Sequence, residues 1–198
     1  MTERTTITTS DGLGLEAKID HADQPTRVSV FCHPHPDWGG TMNSPLMIAI
    51  TRVLVARGHT VVRFNFRGVG ESNGIRTQGE SETEDVSAAI RHAETLNLPL
   101  AIGGWSFGAW MALKWVASSQ SDMPYAGVAP PPEYLPAELP SGGPKRVILG
   151  SRDQVIDRDA LREYAVAHGI DIVLTPGDHF FHGRGDRIGR LVAEGLER

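Results

Sequence analysis

The sequence contains little that would tie it to an oxidising compartment or to a membrane. Cys32 is the only cysteine among 198 residues, so no internal disulfide can form. No apolar run approaches the roughly 20 residues that cross a bilayer. The first ten residues are polar and threonine-rich, without the apolar core of a secretion signal. These absences predict a cytoplasmic location and no membrane partner.

An excess of positive charge is also absent. The 19 lysines and arginines are outnumbered by 24 acidic residues, which gives a formal net charge of −5. Proteins that bind nucleic acid through its phosphates show the opposite balance, so we expect no nucleic-acid partner. The 40% hydrophobic content is sufficient for a buried core in a chain of this length. We therefore expect one folded domain spanning residues 1–198.

Short apolar segments alternate with segments of helical spacing along the chain. A turn signal at Asp11-Gly12 predicts an opening hairpin. Helices are predicted after N-cap residues at Ser44, Ser81 and Asp157, with Glu84 completing a capping box, and two more over 107–117 and 188–196. Strands separated by helices predict an α/β fold, a three-layer sandwich with a mostly parallel sheet and helices on both faces. The predicted strands of this sheet are 28–32, 60–66, 100–103, 125–128, 146–149 and 171–174.

The stretch 118–145 is rich in proline, which is incompatible with a long helix. The remaining connections are already assigned to strands and helices, so there is no room for a separate lid domain. A site on this scaffold is therefore expected to be open.

One segment carries a motif for covalent catalysis. Gly104-Trp-Ser-Phe-Gly108 lies between a predicted strand and a predicted helix, which is the context that G-x-S-x-G requires. A serine on so sharp a turn brings the residues two before and two after it together, so both positions favour glycine. The helix that follows directs free N–H groups toward charge forming near Ser106. Ser106 is therefore the candidate nucleophile.

With this motif the chain resembles the α/β-hydrolase superfamily over about residues 28–182. The segments 33–41, 63–72 and 178–183 are similar to those of small, lidless bacterial serine hydrolases of the dienelactone-hydrolase-like and esterase branches. Dienelactone hydrolases proper use a cysteine nucleophile, whereas this turn holds serine. The resemblance implies an α/β-hydrolase fold without a cap domain, and chemistry that requires no cofactor.

The resemblance also implies a catalytic triad. A serine hydroxyl needs a base, and the base needs an orienting acid. The family's order places the acid after the predicted strand 146–149, where Asp153 fits better than Asp157, the predicted helix N-cap. The histidine should follow the strand 171–174. His179 matches the family position, and His182 is the alternative.

An oxyanion hole of two backbone amides is the third feature that the resemblance implies. Phe107 would supply one amide, and the loop after strand 28–32 the other. Its prolines have no N–H, which leaves His35 or Asp37, with His35 the closer match. A metal site at His33, His35 and Asp37 is an alternative, but the short spacing without a third histidine disfavours zinc. We expect no metal.

The predicted function is hydrolysis of small carboxylic esters through an acyl-enzyme. Trp38, Trp105 and Tyr134 are candidates for an apolar substrate pocket. A thioesterase, a peptidase or amidase, or an acyltransferase would use the same triad, and a hydrolase-fold binding protein would not need it. The expected partner is a small-molecule ester, and an edge strand near the chain's ends would permit a homodimer.

Overall fold

A single eight-stranded sheet organises the molecule, and a computed structural model describes all residues from 1 to 198. Four α-helices and two short 3-10 turns, Pro36–Trp38 and Pro132–Tyr134, lie between its strands, and a fifth α-helix follows the last strand. The helices are α1 (Pro45–Ala56), α2 (Glu82–Glu94), α3 (Phe107–Ser119), α4 (Arg158–Ala167) and α5 (Gly185–Leu196). The strands are β1 (Thr2–Thr8), β2 (Gly14–Asp20), β3 (Arg27–Cys32), β4 (His59–Phe64), β5 (Leu100–Trp105), β6 (Tyr125–Val128), β7 (Lys145–Gly150) and β8 (Asp171–Thr175).

The strand order in the sheet is β1-β2-β4-β3-β5-β6-β7-β8. The hairpin β1–β2 is antiparallel and joins β4 in antiparallel fashion, and every pairing from β4 to β8 is parallel. Helices α1 and α5 pack together on one face, and α2 and α3 on the other. The predicted three-layer sandwich with a mostly parallel sheet is confirmed. The segment between β6 and β7 holds only a short 3-10 turn, so no lid covers the sheet edge.

The strands form where the sequence has apolar runs because helices cover both faces of the sheet. Every residue of β4, β6 and β7 is buried, as expected for continuous rather than alternating apolar segments. The strand predicted over 60–66 ends at Phe64 instead. The Asn65 N–H still donates to the Glu16 carbonyl of β2, while its side chain accepts a hydrogen bond from the Met42 N–H and donates one to the Glu16 carboxylate.

The predicted helix caps have mixed outcomes. Asp157 caps α4, since its carboxylate accepts hydrogen bonds from two first-turn amides. The capping box at Ser81 and Glu84 is wrong. The Ser81 side chain caps nothing, and Glu84 accepts a hydrogen bond from Ser10 instead. The Glu82 carboxylate instead accepts hydrogen bonds from the Thr77 and Gly79 N–H groups of the preceding loop. This arrangement of the loop replaces the capping box.

A buried ion pair ties the loop after β4 to α2. The Arg67 guanidinium donates from Nε and Nη2 to Asp85 Oδ1 at 2.9 and 2.7 Å, and the Arg67 backbone N–H donates to Oδ2 at 2.9 Å. Both side chains are buried. This loop carries Phe66, whose ring packs edge-on against Phe107 at the start of α3, 5.3 Å between centroids. The ion pair therefore supports the end of the sheet at which the parallel strands terminate.

We expect Asp85→Ala to lower the free energy of unfolding by about 3 to 5 kcal/mol, because the buried Arg67 guanidinium loses its buried carboxylate partner and keeps only the more exposed Asp11. Urea denaturation followed by circular dichroism measures the change. Glu84→Ala, at the neighbouring exposed position, is the control and should cost less than about 1 kcal/mol. Equal losses in the two variants would contradict the assigned role of the ion pair.

Candidate active site

Ser106 occupies a strained turn between β5 and α3. Its backbone has φ 54° and ψ −117°, a conformation that residues other than glycine rarely adopt. The Ser106 N–H donates to the Val128 carbonyl of β6 at 2.7 Å, and its own carbonyl accepts the Trp110 N–H at 3.0 Å. The turn is thus fixed from the neighbouring strand and from the helix, and it holds Ser106 half-buried at the carboxyl edge of the sheet.

Two glycines make this turn sterically possible. A Cβ on Gly104 would lie 2.4 Å from the Gly108 carbonyl carbon. A Cβ on Gly108 would lie 2.3 Å from the Cys32 carbonyl oxygen, at the end of β3. Backbone atoms cannot yield at such distances, so both positions need glycine. The spacing of the motif therefore reflects the close packing of β3, β5 and α3.

The loops after β7 and β8 bring Asp153 and His179 together. His179 Nδ1 lies 2.9 Å from Asp153 Oδ2, and both residues are buried, His179 at 5% and Asp153 at 3% exposure. The other carboxylate oxygen accepts the N–H groups of Val155 and Ile156 at 2.9 and 3.0 Å. Because an ionised carboxylate can only accept, His179 carries its hydrogen on Nδ1 and leaves Nε2 free to act as a base.

Opposing influences act on the acidity of Asp153. Burial alone would raise the pKa of its carboxyl group. The hydrogen bonds from His179 and from the amides of Ile156 and Val155 outweigh burial, so the pKa lies below its usual value. Asp153 is therefore charged at neutral pH and orients the His179 ring.

Trp105 connects the serine turn to the histidine loop. Its indole Nε1–H donates to the His179 carbonyl at 3.2 Å, and the two ring centroids are 6.1 Å apart. Ser106 is the next residue along the chain, so serine and histidine lie at the same edge of the sheet. The structure has no hydrogen bond between Ser106 Oγ and His179 Nε2. Such bonds are often long before substrate binds and tighten in the complex.

The alternatives considered for the acid and the base have other surroundings. Asp157 caps α4 and does not contact His179. His182 is exposed and stacks on Phe180 with 5.8 Å between centroids, without a hydrogen bond to any carboxylate. The carboxylate–imidazole pair is therefore the one between Asp153 and His179.

The loop after β3 lies against the start of α3, with 5.0 Å between the ring centroids of His35 and Phe107. Phe107 is the first residue of α3, where no helix carbonyl can accept its N–H. The His35 N–H donates to no protein group, whereas the Asp37 N–H donates to His35 Nδ1 at 3.2 Å. The amides of Phe107 and His35 therefore have no acceptor within the protein.

His33 has a role that the sequence considerations did not assign. The side chain is buried, and its Nε2 accepts the Phe66 N–H at 3.1 Å. Its Nδ1 therefore carries the hydrogen and donates to the Pro34 carbonyl at 2.7 Å. Burial lowers the pKa of His33 to about 4, so the ring is neutral at neutral pH. It joins the loop after β3 to the loop after β4 and thereby positions His35.

The same two hydrogen bonds bear on the metal alternative. Both ring nitrogens of His33 are engaged by protein groups, so neither is free to bind a metal ion. No group of three or more histidine, cysteine, aspartate or glutamate side chains has a metal-binding arrangement.

Asp178 is a second residue that the sequence considerations did not single out. Its Oδ1 accepts the N–H groups of Phe180 and Phe181 at 3.1 and 3.0 Å, and Phe181 adopts a φ of 50°. An aspartate that bonds the backbone two residues on is a turn signal, and this signal was available in the sequence. The turn fixes the backbone on both sides of His179.

The three predicted pocket residues have different surroundings. Trp38 is 85% exposed and contacts no other aromatic ring. Trp105 is buried against the His179 loop, so it supports the histidine rather than lining an open pocket. Tyr134 is exposed on one side and stacks on Trp110, with 4.7 Å between centroids. Phe107, the residue after Ser106, is buried and packs edge-on against Trp110, so Phe107, Trp110 and Tyr134 form one aromatic cluster.

The sheet order and the serine turn define an α/β protein of the hydrolase type, and comparisons with known proteins agree. The sequence model of the alpha/beta hydrolase domain family matches residues 25–191. An α/β serine hydrolase without a lid from Xanthomonas campestris is similar at 26% identity and a TM-score of 0.88, over 100% of this chain and 94% of that chain. A serine hydrolase homologue from Coxiella burnetii is 30% identical with a TM-score of 0.88, covering 98% and 97%.

A further relative is an uncharacterized protein of Rickettsia prowazekii, 28% identical over 200 residues, or 92% of this chain and 84% of its own. The chain belongs to the α/β-hydrolase family. Hydrolysis is the class of activity that these similarities support. None of the helices is both long and apolar enough to cross a membrane.

The lowered pKa of His33 has a consequence for stability. The unfolded chain binds a proton at this histidine below its usual pKa of 6.5, whereas the folded chain binds it only near 4. The free energy of unfolding should therefore fall as the pH drops from 6.5 to 4, by about 3 kcal/mol from this group. We expect His33→Gln to reduce this slope in urea denaturation between pH 7 and 4. His92→Gln, a half-exposed site on α2, should keep the wild-type slope, and an unchanged slope in His33→Gln would contradict the assignment.

Proposed function

We propose that the protein is a serine hydrolase that cleaves small carboxylic esters through an acyl-enzyme intermediate. The hydrogen bond between Asp153 and His179, at the same sheet edge as the strained Ser106, carries this proposal. A serine, an imidazole and a buried carboxylate on the loops after β5, β8 and β7 form the arrangement that activates a hydroxyl as a nucleophile.

In the first half-reaction Ser106 Oγ attacks the carbonyl carbon of the ester, and His179 Nε2 accepts the hydroxyl proton. The bond from the carbonyl carbon to the leaving oxygen then breaks, and His179 returns the proton to that oxygen. An alcohol departs, and the acyl group remains on Ser106.

In the second half-reaction a water molecule attacks the acyl carbon and gives a proton to His179 Nε2. The bond from the carbon to Ser106 Oγ breaks, and His179 protonates Oγ. Ester and water are converted to acid and alcohol, and the side chains return to their starting state. Asp153 keeps its charge throughout and stabilises the imidazolium that forms in each step.

The negative oxygen of the tetrahedral intermediate needs hydrogen-bond donors. We assign this role to the backbone amides of Phe107 and His35. The Asp37 amide is less suitable because it already donates to His35 Nδ1. The N-terminus of the 13-residue helix α3 adds a favourable dipole at the same place. Donors aimed at the developing charge are worth about 3 to 4 kcal/mol each in related chemistry.

The open sheet edge favours small substrates. No lid element covers Ser106, so a long acyl chain would remain largely in water. The partly exposed rings of Trp110 and Tyr134, which pack on the buried Phe107 next to Ser106, offer apolar surface to a short or medium acyl group. We therefore propose short-chain acyl esters as substrates.

Ser106→Ala removes the proposed nucleophile while leaving the backbone turn in place. We expect kcat for 4-nitrophenyl acetate to fall by about 10³-fold or more. A fluorophosphonate should no longer add its mass to the intact protein, while the circular dichroism spectrum is unchanged. Ser119→Ala, an exposed serine at the end of α3, is the matched control and should keep both activity and labelling. Labelling of Ser106→Ala to the wild-type extent would place the nucleophile elsewhere.

His179→Ala should lower kcat for 4-nitrophenyl acetate by about the same factor as Ser106→Ala, because triad members act as a unit. His182→Ala should lose less than about tenfold, since its ring makes no contact with Asp153. His92→Ala on α2 controls for loss of a histidine as such. Steady-state kinetics at pH 7.5 provide the measurement, and an inactive His182→Ala beside an active His179→Ala would reverse the assignment.

A further inference from the structure

A positively charged groove lies next to the loop that follows β8. The groove has a volume of about 500 Å³ and is open to solvent between α1 and the start of α5. A volume of this size accommodates a small molecule. The residues that line it include a single acidic one, Asp186, and four arginines, Arg52, Arg184, Arg187 and Arg190. This concentration of positive charge occurs in a chain whose net charge is −5.

The four arginines differ in their partners. Arg52 forms an ion pair with Asp186, at 2.5 Å, and Arg187 donates to the Thr175 hydroxyl at 2.7 Å. Arg184 and Arg190 have no carboxylate partner. By contrast, the buried arginines elsewhere in the chain each pair with an acidic side chain, as Arg63, Arg67 and Arg146 do. The groove therefore presents two guanidinium groups that are free to bind an anion.

Phe180 connects this groove to the proposed catalytic base. Its ring packs edge-on against the His179 ring at 5.5 Å and stacks on His182 at 5.8 Å. Phe180 and His182 both line the groove, and Phe180 is 49% exposed. The groove thus begins one aromatic ring away from the imidazole.

The position of the groove indicates which part of a substrate would enter it. On the proposed function, His179 donates its proton to the leaving oxygen, so the leaving group lies on the histidine side of the acyl carbon. The aromatic cluster of Phe107, Trp110 and Tyr134 lies along the start of α3, away from the histidine loop in sequence. The acyl group would then lie on the aromatic cluster, and the leaving group would extend past Phe180 into the positively charged groove.

We propose that the leaving group of the natural substrate carries an anionic substituent, a phosphate or a carboxylate, which binds Arg184 and Arg190 in this groove. Guanidinium groups pair with both anions through charge-assisted, two-pronged hydrogen bonds. The free N–H groups at the start of α5, which also lines the groove, add to the attraction. This inference rests on the proposed function and specifies its substrate: water and the ester give an acid and an alcohol that bears the anion.

Three acetates with closely similar phenolic leaving groups test the inference. They are 4-acetoxyphenethyl alcohol, its phosphate monoester, and 3-(4-acetoxyphenyl)propanoate. We expect kcat/KM to be at least about tenfold higher for the phosphate or the carboxylate than for the neutral alcohol, through a lower KM. The two anionic substrates distinguish phosphate from carboxylate as the recognised group. 4-Nitrophenyl hydrogen glutarate carries its anion on the acyl side and should show no advantage over 4-nitrophenyl butyrate.

The double variant Arg184→Gln/Arg190→Gln should abolish the preference, so that kcat/KM for the anionic substrates falls to that for the neutral alcohol. Arg91→Gln on the exposed surface of α2 removes one positive charge outside the groove. It controls for the general effect of charge and should retain the preference.

The outcomes separate this inference from the function on which it rests. Wild-type hydrolysis of the neutral acetate that depends on Ser106, but shows no anion preference, would overturn the inference and leave the proposed function intact. A preference that survives in the double variant, or one for the acyl-side anion, would do the same. Absence of any hydrolysis dependent on Ser106 would overturn the proposed function and the inference together.

Discussion

The close approach of three backbone segments around Ser106 is the constraint on which the rest of the site depends. Gly104 and Gly108 allow β3, β5 and α3 to meet at distances that no side chain would tolerate. A non-glycine residue at positive φ costs on the order of 1 to 3 kcal/mol. The hydrogen bonds of Ser106 to β6 and to α3, together with the buried surroundings, offset this cost. The strained turn thereby holds the Ser106 hydroxyl at the carboxyl edge of the sheet.

Buried polar contacts hold the other groups in position around this turn. His33 joins two loops with one hydrogen bond from each ring nitrogen, and so places the amide of His35. Asp178 and Trp105 fix the backbone around His179. The proposed catalytic groups lie on loops, and these contacts connect the loops to each other and to the sheet. Preorganisation of this kind is what lowers the barrier for charge development in a hydrolase site.

The features that could be predicted from the sequence are those that local patterns encode. The strand and helix alternation, the serine turn and the Asp157 cap each depend on neighbouring residues. Asp153 and His179 required the order of residues in a known family. The hydrogen bond between the His33 ring and the Phe66 N–H was not predictable. Phe66 is distant from His33 in sequence, and only the parallel pairing of β3 and β4 brings the two residues together. The positively charged groove was not predictable for the same reason, because α1 and α5, which form its two sides, are distant in sequence.

The central claim is that Ser106, His179 and the amides of Phe107 and His35 surround one reacting carbonyl group. A crystal structure of the protein after reaction with a fluorophosphonate tests this claim most directly, since the phosphonyl group imitates the tetrahedral intermediate. We expect the phosphorus on Ser106 Oγ, with one phosphonyl oxygen within about 3 Å of both amide nitrogens and His179 Nε2 facing Oγ. A phosphonyl oxygen directed into solvent, or an adduct on another residue, would contradict the proposed arrangement.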